Sequence, residues 1–252
     1  MYDKRPYFTA RLFEDSKILH IRIGKNASSS QHMMMWNEAP DSLDNFDSAT
    51  IKTNHYDVEI KANTIKDLNA FLVKHFNGYK KSVFIRDPLE RFSSSLAQDC
   101  SNTGWPVKKT TFNVMNSFES KMEELEKNPS WESLYRIMGV DTSIKNHVIL
   151  QTDLCNFEAL PQDIVYFEVD NNLTCNYLHW LDTSHVISKE TNWVNKSNTN
   201  SEKSYIKKCV QKYIDNPNSN LLSWIRQAYS NDFDMYQKLK SLCYREGEKH
   251  AG

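Results

Sequence analysis

The chain has 252 residues, 39% hydrophobic and 12% aromatic, which is enough core for a single α/β domain over 1–252. The formal net charge is −1, so there is no global basic field for coating nucleic acid, and any polyanion site must be a local cluster. The opening MYDKRPYFTARLFEDSK lacks a signal-peptide core, and no later stretch approaches the roughly 20 apolar residues that span a bilayer; a soluble, cytoplasmic protein is expected.

The first predicted strand is Lys17 to Ile23, KILHIRI, where apolar and polar residues alternate before Gly24. Lys25, Asn26, Ala27 and three serines follow, and a helix is predicted over Gln31 to Trp36. His32 and Met33 to Met35 read as helix core or cleft wall. A second strand is predicted from Ala49 to Asn54, just before His55. Thr64 caps a helix whose apolar stripe is Leu68, Phe71, Leu72 and Phe76, with Asp67 three residues past the cap.

The third strand, Ser82 to Ile85, runs straight into RDPLERFSSS. There Asp87 suits the N-cap, Pro88 the first helical position and Glu90 the capping box. Helices are predicted at Ser117–Lys127 and Trp131–Met138, a fourth strand at Ile164–Glu168, and a helix from about Asn171 to Leu181. Glu190 to Asn200 is polar and reads as a long loop. From Ser201 onward the pattern is helical, broken near Asn216–Pro217. Five widely spaced cysteines without a CxxC pair (Cys100, Cys155, Cys175, Cys209, Cys243) imply free buried thiols and no metal site. Alternating strands and helices predict a three-layer α/β/α fold on a central parallel sheet, with a helical C-terminal third.

In such a sheet, ligands gather where strands end and helices begin, because helix N-termini offer unpaired N–H groups and partial positive charge. The chain offers this setting twice. Lys25 with Ser28, Ser29 and Ser30 precedes the first helix; Arg86 ends the third strand, with Ser94 two turns into the following helix. A solvated serine turn and a surface ion pair are the plain alternatives. Two anion sites suit a ligand with two anionic groups. The Walker A pattern fails, since Lys25 comes early in its loop and only Gly24 is present; GxGxxG is also missing.

The pair IRIGKNASSS and FIRDPLERFSSS resembles the two cofactor motifs of sulfotransferases that use 3′-phosphoadenosine 5′-phosphosulfate (PAPS). Arg86, Asp87, Pro88, Arg91 and Ser94 all fall in the register of the second motif. The first departs from it, with Gly24 where proline is usual and Ser28 where glycine is frequent. HVILQTDLC (His147 to Cys155) and DIVYFE (Asp163 to Glu168) are similar to a region of the carbohydrate sulfotransferases, and VNKS and AYSNDFDMY to that group's last helices.

The resemblance implies a P-loop-like sulfotransferase fold and transfer of a sulfonate from PAPS to a hydroxyl or amine, leaving adenosine 3′,5′-bisphosphate, with no metal. The acceptor it implies is a saccharide or other small hydroxyl compound; it implies no nucleic acid and no membrane span, and sets no oligomeric state. Its donor-binding residues are Lys25, Asn26, Ala27, Ser28, Ser29, Ser30, Arg86, Ser94 and Lys196, the last with Asn195 in the polar loop. Arg91 would brace the loop or touch the ligand. Lys25 would neutralise charge on the leaving phosphate, and His55 would take the acceptor's proton, with Asp57, Glu59 and His147 as substitutes. His147 and Gln151 would line the acceptor site. Lys207 and Lys208 read as a solvated helix face. Two other functions fit less of the pattern: a non-catalytic nucleotide- or glycan-binding relative, and another nucleotide-dependent transferase such as a small kinase.

Overall fold

The computed structural model describes residues 7–13, 17–23, 25–27, 53–54, 57–100, 111–138, 148–181 and 201–245. The predicted Gln31–Trp36 helix, residues 49–52 of the second strand, the Glu190–Asn200 loop, and Ser28, Ser29, Ser30, His55, His147 and Lys196 lie outside them. The chain divides into two compact units, Met1–Ile85 with Gln151–Thr191 and Gln237–Gly252, and Arg86–Leu150 with Asn192–Tyr236.

The first unit is built on a six-stranded sheet. Its strands are β1 (Tyr7–Phe13), β2 (Ile18–Arg22), β3 (Thr53–Asn54), β4 (Asp57–Lys61), β5 (Lys80–Ile85) and β6 (Ile164–Glu168), in the order β3-β4-β1-β2-β5-β6. The α/β class is as expected, but the sheet is mixed rather than wholly parallel. Among the described strands, β2 pairs parallel with β5 and β5 with β6, whereas β1 pairs antiparallel with β2 and β4, and β3 with β4. A short connection dictates the β1–β2 pairing. Four residues join β1 to β2, too few for the crossover that parallel neighbours require.

Two-residue alternation gives each face its own core. Ala10, Leu12, Leu19, Ile21 and Val83 face one side, where α1 (Ile65–Phe76) contributes Leu68, Phe71, Leu72 and Phe76. Phe13, Ile18, Phe84 and Phe167 face the other, with Leu173, Tyr177 and Leu181 from a helix at Leu173–Leu181. Each of these large apolar side chains contributes about 1.5–3 kcal/mol when fully buried. Thr64 Oγ1 accepts from Asp67 N at 3.1 Å, so α1 starts where its cap predicts. The outer edge of β6 is covered in part by the chain's end, where Tyr244 N donates to Tyr166 O at 2.8 Å.

The second unit is helical. It holds α2 (Pro88–Asp99), α3 (Thr111–Lys127) and α4 (Trp131–Met138). After α5 (Gln151–Leu154) and α6 (Leu173–Leu181) of the first unit, it resumes with α7 (Ser201–Ile214), α8 (Asn220–Ala228) and the start of α9 (Ser230–Lys240). Its core gathers Phe92 and Leu96 from α2, Phe118 and Met122 from α3, Leu134 from α4, Ile206 and Val210 from α7, and Leu221 and Ile225 from α8.

The helix expected from Ser117 begins at Thr111, where threonine, asparagine and valine give little helical propensity and tertiary context decides. β1 and β4 are strands that the sequence reading did not assign. Four of the five cysteines are buried free thiols and Cys175 is an exposed one. No described helix is long and apolar enough to cross a membrane.

Candidate active site

β2 and β5 are adjacent and parallel, with Ile21 opposite Val83, so their carboxyl ends face the same edge of the sheet. Lys25 to Ala27 leave β2 at that edge. The turn is closed by Asn26 N donating to Ile23 O at 3.2 Å. Asn26 is 1% exposed, and its Nδ2 donates to Phe84 O at 2.8 Å and to Gln151 Oε1 at 2.5 Å. One buried amide thus ties the exit of β2 to the end of β5 and to the first residue of α5. Gln151 is itself fully buried, so within the described residues it meets the loop through Asn26.

This loop is strained. Lys25 and Ala27 have φ of 67° and 56°, the left-handed region that costs an L-residue roughly 1–2 kcal/mol. Asn26 Oδ1 is buried with no hydrogen-bond partner among the described residues, a further expense for folding. Lys25 and Ala27 are half-buried.

Arg86 is the next residue after β5. Asp87 caps α2, its Oδ1 accepting from Leu89 N at 2.9 Å and Glu90 N at 3.0 Å, and Pro88 opens the helix as its fixed φ allows. Glu90 does not only serve the cap region: its Oε2 lies 3.7 Å from Arg86 Nε. The Arg86 side chain is 17% exposed. Burial pulls its guanidinium below the usual arginine value, and the Glu90 and Asp87 carboxylates push back. Ser94 is half-buried one helical turn beyond Glu90.

Arg91, 1% exposed, turns into the helical unit and donates from Nη1 to Ile149 O at 2.6 Å. Tyr229 Oη holds the neighbouring Val148 carbonyl at 2.5 Å.

Sequence reasoning passed over the surface that α7 turns to α2. Lys203 Nζ donates to Gln98 Oε1 at 2.8 Å, and Lys207, one turn further on, lies close enough to Arg86, Glu90 and Lys203 to feel their charges. Burial is the main force lowering the Lys207 ammonium, and the repulsion of Arg86 adds to it. Lys207 is therefore half-buried, not solvated as read; Lys208 is exposed. The i, i+4 lysine spacing was the available signal, but it is common on solvated helices.

His55 is flanked by β3 and β4, which pair with Asn54 opposite Asp57. Asp57 is level with Arg11, and Arg11 with His20. These flanks therefore stand level with the middle of β2, whereas Lys25 follows its carboxyl end.

A model of the sulfotransferase family matches residues 9–238. No curated protein and no solved structure matches the chain. The matched span takes in both strand ends and nearly all described elements.

Proposed function

Because the chain belongs to the sulfotransferase family, enzymes that transfer a sulfonate group, we propose that its donor is PAPS and that the two strand-exit segments bind it. Support comes from the fit between the charges and the ligand. The two segments carry half-buried cations, Lys25 and Arg86, at the ends of parallel neighbours, and the donor is an adenosine with an anionic group at each of two positions. The single observation that carries the reading is the Asn26 clasp, which fixes the strained Lys25 loop to the backbone of β5 two residues before Arg86. Strain held in place by buried contacts is what a preorganised site requires.

In this reading Lys25 and the backbone of residues 25–30 hold the 5′-phosphosulfate, with Ser28, Ser29 and Ser30 adding hydroxyl donors. Lys25 neutralises negative charge that builds on the bridging phosphate oxygen as the sulfur–oxygen bond breaks. Arg86, through its planar fork, and Ser94, through its hydroxyl, hold the 3′-phosphate. Asn26 and Gln151 position the loop. Lys196 is retained from the sequence pattern as a cover for the nucleotide. The donor supplies the sulfonate and leaves as adenosine 3′,5′-bisphosphate; the residues supply in-line placement and charge neutralisation.

For the acceptor's proton, the sequence pattern assigns His55, with Asp57, Glu59 and His147 as substitutes. His55→Ala decides between it and the substitutes: lost turnover with donor binding intact keeps His55, and full activity removes it. A saccharide acceptor, lined by His147, rests on the HVILQTDLC resemblance.

The experiment is sulfonate transfer from radiolabelled PAPS to a panel of saccharides, phenols and amines. Transfer to at least one acceptor is expected, slowed about 10²–10³-fold in Lys25→Ala. No transfer to any, with no binding of PAPS, would overturn the reading.

A further inference from the structure

We infer that Lys207 on α7 is a ligand for the donor's 3′-phosphate, completing with Arg86 and Ser94 an anion site that the sequence motif specifies only in part. The inference rests on the donor reading above, and it concerns a residue that no motif of that reading includes.

The argument begins with the register between α2 and α7. Glu90, Ser94 and Gln98 are spaced i, i+4, i+8 and so form one row along α2. Lys203 and Lys207 form a matching row, one turn apart, on α7. Lys203 bonds to Gln98 at the far end of the first row, and Lys207 feels Arg86 and Glu90 at the near end. The helices run antiparallel along this seam. On the α2 row Ser94 stands between Gln98, which Lys203 bonds, and Glu90, whose charge acts on Lys207.

Among the charges that act on Lys207, cations outnumber carboxylates. Arg86, Lys203 and Lys207 bring three cations to the seam, and Glu90 is the one carboxylate among the charges that act on Lys207. That carboxylate is already engaged by Arg86. Lys207 makes no hydrogen bond or ion pair among the described residues, although burial has removed part of its water. An ammonium in that position is stabilised by an arriving dianion, which restores both its charge balance and its hydrogen bonds. Lys208, the next residue, is exposed and supplies an internal control.

The test is calorimetric titration of wild type, Lys207→Gln, Lys207→Arg and Lys208→Gln with adenosine 3′,5′-bisphosphate and with adenosine 5′-monophosphate. Lys207→Gln is expected to raise the Kd for the bisphosphate about tenfold, or ~1.4 kcal/mol, while leaving the monophosphate Kd within about twofold. Lys207→Arg, which keeps the charge, is expected to retain most of the bisphosphate affinity, and Lys208→Gln to retain all of it. If Lys207→Gln binds the bisphosphate as well as wild type, or loses affinity for both nucleotides alike, the role of Lys207 is overturned and the donor reading stands. If wild type itself fails to prefer the bisphosphate, the donor reading falls and takes this inference with it.

Discussion

The loop after β2 and the helix opening after β5 are both suited to anions, yet they are built on opposite principles. On the sheet side, the polar groups gathered around the loop are buried and neutral. His20 packs 4.4 Å from the Phe84 ring and shares a 3.0 Å hydrogen bond with Ser82, Asn26 clasps Phe84 O and Gln151, and the backbone bends through positive φ at Lys25 and Ala27. On the helical side the backbone is relaxed, opened by an Asp cap and a proline, and the burial falls instead on cations: Arg86, Arg91, Lys203 and Lys207. The first region spends its stability on geometry and the second on charge. Geometry is what a reacting group needs; charge suffices for a group that is merely held.

The sharpest way to break this contrast is to compare Lys25→Ala with Arg86→Ala. Lys25→Ala should lower kcat by about 10²–10³-fold, the usual loss of roughly 2.7–4 kcal/mol for one preorganised transition-state contact, with a smaller change in nucleotide Kd. Arg86→Ala should do the reverse, weakening the bisphosphate by about 1.5–3 kcal/mol and leaving turnover at saturating donor near wild type. Steady-state kinetics and titration of both variants check this. Equal effects on kcat and Kd in the two variants would erase the distinction.

His20 tests how firmly this cluster stays neutral. Burial, with the nearby Arg11 and Arg22, lowers its pKa from 6.5 to about 3. Between those values the unfolded chain binds a proton that the folded chain refuses, so stability rises with pH through that window and falls as pH drops below about 6.5. At pH 5 the loss relative to pH 7 is about 2 kcal/mol. Urea unfolding at both pH values should reveal it, and His20→Asn should remove it. An equal acid loss in the variant would assign the effect elsewhere. The smallest effect is at Ala27: Ala27→Gly, freed of the left-handed penalty, should stabilise by about 0.5 kcal/mol in the same assay, against no gain if the loop were unstrained.

The sequence was most readable where local chemistry and tertiary structure agree. The Thr64 cap, the Leu68–Phe76 stripe, the Asp87–Pro88 opening and the strand Ile164–Glu168 all appear as expected because each is encoded within a few residues. β1 was missed although YFTARLF alternates, because Arg11 occupies a buried position that reads as exposed. The β1–β4 pairing joins strands more than forty residues apart, and no local pattern encodes it. The same limit applies to the site. Lys25, Arg86 and Ser94 carry motif signals, whereas the Asn26–Gln151 clasp joins residues 125 apart and the Lys207 seam depends on helix register.

The central claim is that the two segments serve one adenosine with phosphates at both the 3′ and 5′ positions. Its most direct measurement is the thermal shift of the wild-type protein with adenosine 3′,5′-bisphosphate, AMP and ATP at one concentration, a hundredfold above the bisphosphate Kd. Binding at that excess adds about 2.7 kcal/mol, which for a chain of this size raises Tm by roughly 5–10 °C. The account predicts that rise for the bisphosphate and a much smaller one for AMP and ATP. Equal shifts with all three nucleotides would contradict it.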